Sequence, residues 1–165
     1  MCIRDSYRTV LERRLARGDD PASDWSLSVR RSFADAARSA GRLEEAERAY
    51  RTVLKTHAAT RASPPGVPSI RARLAWTVLD RNRPGEALRE ALAARRGVPD
   101  GEVDALVECV LARAFRANGR VAEADSVVAL AAARLAETGY PVRDYHPCWG
   151  LTAATSLSGG SNPPG

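Results

Sequence analysis

The sequence predicts an all-α fold, a right-handed solenoid of antiparallel helix pairs with about seven helices. Three observations predict it. Apolar residues make up 44% of the 165 and aromatics only 5%, so the apolar content is mostly Ala, Leu and Val, the set that helices tolerate best. Gly41-Arg42-Leu43-Glu44-Glu45-Ala46 returns as Asn82-Arg83-Pro84-Gly85-Glu86-Ala87 and as Gly119-Arg120-Val121-Ala122-Glu123-Ala124, at separations of 41 and 37 residues. A fixed period of this length marks stacked supersecondary units. Tyr7-Arg8-Thr9-Val10-Leu11 also reappears unchanged as Tyr50-Arg51-Thr52-Val53-Leu54, 43 residues later.

Taken in chain order, residues 1–6 (Met-Cys-Ile-Arg-Asp-Ser) resemble a translated sequencing adapter and are set aside from the fold. The chain is then an excerpt of a longer protein, and Tyr7–Arg17 is a second helix whose partner lies upstream. Ser26–Ala40 and Leu43–His57 form the first complete pair, Ser69–Arg81 and Pro84–Arg96 the second, Glu102–Asn118 and Val121–Thr138 the third. Gly41, Asn82 and Gly119 tolerate the left-handed conformation and can close each first helix. Glu44, Glu45, Glu86 and Glu123 fall in the first turns of the second helices, where acid favours the dipole. Pro84 also suits a first turn. Eight residues before each turn stand Phe33-Ala34, Leu74-Ala75 and Leu111-Ala112. Small Ala46, Ala87 and Ala124 allow close crossings, and large residues such as Phe33, Tyr50, Leu74 and Leu111 fill the layers between pairs. Residues 61–68 read as an insertion. The repeat domain spans 7–140, and 141–165, ending in a Gly-, Ser- and Pro-rich run, reads as an irregular or disordered tail.

These motifs resemble the tetratricopeptide repeat, in which Leu-Gly-x-x-Tyr, Ala-x-x-x-Phe and Pro mark a helix–turn–helix unit. Ala46-x-x-x-Tyr50 matches, Leu74-Ala75 and Leu111-Ala112 stand for Leu-Gly, and Pro99 falls at the closing proline. Ala91 and Val128 depart from it, standing where an aromatic is usual. The long period resembles the roughly 42-residue variant of kinesin light chains and many bacterial regulatory proteins. The resemblance implies a protein-interaction scaffold, a fragment of a larger bacterial regulatory protein. An alternative is the sensor or docking region of a bacterial serine/threonine kinase whose catalytic domain is missing. A third reading is an oligomerisation module.

Net charge is +5, but Lys55 is the only lysine among 25 basic residues, as high-GC genomes tend to encode. The arginines are spread among 20 acidic residues rather than gathered in one block, which argues against a nucleic-acid partner. No segment reaches the ~18–20 apolar residues of a membrane span. Three widely spaced cysteines, Cys2, Cys109 and Cys148, suit reduced thiols and a cytoplasmic setting, with Cys109 packed in a helix. Phosphate-binding loops and zinc spacings are absent, and His146-Pro147-Cys148 reads as plain tail. The expectation is no enzyme, cofactor or metal.

The repeat does predict a concave groove lined by the first helix of each pair. Counting from the turns places Arg31, Asp35 and Arg38 on it from the first pair, Ala72, Trp76 and Leu79 from the second, and Cys109, Arg113 and Arg116 from the third. Trp and Arg are frequent interface anchors. The expected ligand is an acidic peptide lying across Trp76, its carboxylates paired by Arg31, Arg38, Arg113 and Arg116.

Overall fold

The structure, a computed structural model, describes residues 3–20, 22–60 and 66–137. These form seven α-helices: α1 (Ile3–Leu15), α2 (Asp24–Ser39), α3 (Leu43–Thr60), α4 (Val67–Asp80), α5 (Pro84–Arg96), α6 (Ala105–Ala117) and α7 (Val121–Glu137). Residues 61–65 of the expected insertion, Cys2, and the tail with His146-Pro147-Cys148 lie outside the described residues.

The boundaries differ from the expected ones where local chemistry is stronger than apolar period. Ser23 caps α2, its hydroxyl accepting from the Ser26 N–H at 3.3 Å, so the helix starts two residues early. Asp104 caps α6, accepting from the N–H groups of Leu106 and Val107 at 3.0 and 3.2 Å; that delays the start to Ala105. α4 opens at Val67 with Pro68 in its first turn, where a missing donor costs nothing. α1 begins at Ile3, with Asp5 in its first turn.

Each pair closes the same way. Gly41, Asn82 and Gly119 have φ of 73°, 57° and 74°. The N–H of the following arginine reaches back to the last turn, Arg42 to the Ala37 carbonyl, Arg83 to Val78 and Arg120 to Phe115, at 2.9 to 3.2 Å. This is the Schellman closure, which needs one left-handed residue. Asn82 is the described non-glycine that fills the role. Asn82→Ala is therefore expected to destabilise the protein by about 1 kcal/mol, with Asn82→Gly near neutral. Equal midpoints for both variants in urea would contradict it.

The arginine of each turn then pairs with the glutamate three residues on. Arg120 meets Glu123 at 2.8 Å and Arg42 meets Glu45 at 3.8 Å, and Arg83 bonds Glu86. Two of these glutamates also bind the preceding second helix, Arg8 to Glu45 and Arg51 to Glu86 at 2.6 Å. Arg8 and Arg51 are equivalent in the repeated pentapeptide, so α1 stands to α3 as α3 stands to α5.

The helix pairs stack through two apolar clusters. The first gathers Leu27, Ala34, Ala37, Tyr50, Val53, Leu74 and Val78, and the second runs from Ala72 and Ala75 through Val107, Leu111 and Phe115 to Ala124, with Leu79 touching both. Ala46, Ala87 and Ala124 are fully buried, as close helix crossings require. Glu47, 1% exposed, is covered by guanidinium groups rather than hydrocarbon. It accepts from Arg51, from Arg81, and from Arg83 at 3.0 Å, tying α3 to the turn after α4.

Candidate peptide-binding groove

The first helices of the three complete pairs, α2, α4 and α6, carry the residues expected to line a groove. Trp76 stands half-buried on α4, the middle of the three. The Arg38 guanidinium lies 4.0 Å from its ring centre and that of Arg113 5.0 Å, one reaching in from α2 and the other from α6. Two cations on one indole are favourable because the ring faces carry negative potential. The sequence expectation thus names three residues that the fold brings together.

The other expected residues divide by what surrounds them. Arg38 is already paired, donating to Asp80 at 3.2 Å, and its Nε is enclosed without an acceptor among the described residues. Arg116 donates to Asp125 of α7 at 2.7 Å. Arg113 and exposed Arg31 have no ion pair among the described residues. Asp35 is held from two sides, accepting from the Tyr50 hydroxyl at 2.5 Å and from Arg73 at 3.1 Å. Burial and then the Asp35 hydrogen bond push the Tyr50 phenol above the ordinary tyrosine range. Leu79 is packed between the two apolar clusters.

Ala72 is fully buried and Cys109 is 5% exposed, so neither lines a groove. α4 and α6 pack against each other. Sequence counting missed Arg73 and Asp80, whose pairings with Asp35 and Arg38 set the charge of this face; it placed Tyr50 in the core but not its bond to Asp35. No signal in the repeat register distinguishes them, since their roles depend on the neighbouring pair.

The same architecture occurs in solved structures. Over 82% of its length the chain superposes on a single-residue variant of a Podosopora anserina kinesin light chain with nearly identical TPR-like repeats, at 20% identity and a TM-score of 0.69, covering 66% of that chain. Over 87% of its length it superposes on BtubC (BKLC) from P. vanneervenii, at 20% identity and a TM-score of 0.71, covering 58% of that chain. The fold is a TPR-like solenoid. The chain spans about two thirds or less of the length of these TPR-like proteins. No family model and no curated protein matches the sequence. Among the described residues of this TPR-like array, no helix is long and apolar enough to cross a membrane.

Proposed function

We propose that the chain is a protein-interaction scaffold that holds an acidic peptide segment of a partner across α2, α4 and α6. The observation that supports this reading best is the Arg38–Trp76–Arg113 stack. An aromatic anchor stands in the middle of the face, and a guanidinium beside it, Arg113, has no carboxylate of its own among the described residues. A peptide carboxylate there would complete a charge-assisted hydrogen bond. Arg31 extends the positive rim along α2. Arg38 and Arg116 act differently from Arg31 and Arg113: they already hold Asp80 and Asp125, so they shape the face and contribute less to charge recognition.

Screening acidic peptides against the protein and its Trp76→Ala variant tests this reading. Loss of a true anchor is expected to weaken binding by about 2 kcal/mol or more. The affinity should also fall as salt rises, because the arginines are solvent-accessible. Unchanged affinity in a folded Trp76→Ala protein, or salt-independent binding, would make Trp76 a packing residue and remove the groove.

The wider reading, a segment of a longer bacterial regulatory protein, is tested by the gene upstream. A kinase signature there would make this region a docking module, and further repeats would make it part of a free-standing scaffold.

A further inference from the structure

The three complete helix pairs can be compared with one another at one register, away from Trp76. Arg71 stands eleven residues before its turn residue Asn82, and Glu90 stands eight after it. The two meet at 3.1 Å across the pair α4–α5. In the third pair the place of Arg71 is taken by Glu108, which meets Arg95 at 2.5 Å. In the first pair the same two places hold Arg30 and Ala49. Alanine has no carboxylate to offer, and Arg30 has no ion pair among the described residues. Of the three side chains at this register, the one in the first pair lacks a counter-charge among the described residues.

The structure has a hollow at that point. A cavity of about 430 Å³ opens between α1, α2 and α3, lined by Leu11, Leu15, Phe33 and Ala49 with Arg30 and Arg48 among its polar residues. Phe33 is only partly buried, whereas Leu74 and Leu111 at the same register are 1% and 3% exposed. Arg8 closes part of the wall, stacking 5.6 Å from the Phe33 ring centre and bonding Glu45. Arg48 likewise has no ion pair among the described residues. The volume is in the range of small-ligand pockets, and an apolar floor with uncompensated cations suits an amphipathic anion.

We propose that this hollow binds an acidic side chain of a partner peptide, whose carboxylate takes on Arg30 the place that Glu90 takes on Arg71, with an adjacent aliphatic side chain on Leu11, Leu15 and Phe33. The hollow is then a second docking point for a protein partner, independent of the Trp76 face. Glu12 also lines the hollow and has no ion pair among the described residues; it opposes an incoming carboxylate and weakens the site.

The test follows the arginine Nε–H resonances of the whole chain during titration with acetyl-Leu-Glu-Leu-amide, its Gln counterpart, and inorganic phosphate. The Glu peptide is expected to shift Arg30 saturably and to bind about tenfold more tightly than the Gln peptide, the value of one charge-assisted hydrogen bond. Arg30→Gln should remove the response. Ala49→Glu, which rebuilds the pairing of the second pair, should also abolish it while keeping the helical content and thermal midpoint. Glu12→Gln should strengthen it, and Trp76→Ala should leave it unchanged, separating this site from the groove. Undiminished binding in folded Ala49→Glu or Arg30→Gln would overturn the proposal. So would equal response to the Gln peptide, or to phosphate alone.

Discussion

Replacing Tyr50 by alanine is expected to destabilise the array by about 4 kcal/mol, the usual cost of deleting a fully buried aromatic from a packed core. Tyr50 is 0% exposed and fills the layer between the first and second pairs against Leu27, Leu74 and Val78. Its hydroxyl also donates to Asp35, so the side chain joins an apolar layer to the groove face. Tyr50→Phe keeps the volume and loses the hydrogen bond. It should cost about 1 kcal/mol, because half-exposed Asp35 keeps Arg73 and water as partners. Urea unfolding separates the two variants. The loss should also be local, since a repeat array is stabilised by nearest-neighbour contacts. Amide exchange in Tyr50→Ala should rise in α1–α3, while α6 and α7, built on the other apolar cluster, keep their protection. Uniform loss of protection along the chain would refute the two-cluster description.

Glu47→Gln is expected to cost about 2 kcal/mol near neutral pH. Removing one member of a buried ion pair typically costs ~3–5 kcal/mol. Here the arginines left behind, Arg51, Arg81 and Arg83, are themselves 26% to 46% exposed, and water screens part of the lost attraction. The effect should depend on pH in a defined direction. Burial pushes the Glu47 carboxyl up, but the hydrogen bond from Arg81, the charge of Arg51 and the hydrogen bond from Arg83 outweigh it and hold it below the ordinary value of 4.5. A depressed carboxyl stabilises the fold above its unfolded pKa, and this stabilisation is lost as pH falls through the folded one. The gap between wild type and Glu47→Gln should therefore be full at neutral pH and shrink below about pH 4.5. A gap that is constant from neutral to acid pH would show that the ionised carboxylate is not what holds α3 to the turn. Glu108 works against this trend. Burial raises its pKa despite Arg95 and Arg134, so it favours the fold on the acid side.

How much of this could be read from the residues depends on how local each feature is. The turn at Gly41, Asn82 and Gly119 was legible because a left-handed residue, an arginine and a glutamate at fixed offsets carry their own reason: a backbone closure, and a pairing three residues long. The alanines were legible because a buried helix crossing admits little else. Part of the Trp76 cluster was legible too, since Trp76 and Arg113 each stand six residues before their turns, whereas Arg38 stands three before its own.

The rest was decided across helices. Offset along one helix fixes the angle at which a side chain leaves it, not what the next helix brings to meet it. Arg38 and Arg113 look alike in sequence, yet Asp80 neutralises one and nothing among the described residues neutralises the other. Ala72 and Cys109 share the register of Arg31, yet both are buried where Arg31 is exposed. Asp35 reads as a groove residue and proves to be the acceptor that Tyr50 needs when its hydroxyl is buried. The sequence by itself determined the helix pairs, their turns and their period, because these rest on contacts within about four residues. The tertiary structure alone decided which charges are already spent inside the protein and which have no counter-charge among the described residues, because a carboxylate's effect on an arginine depends on distances set between pairs, 36 to 42 residues apart in the chain.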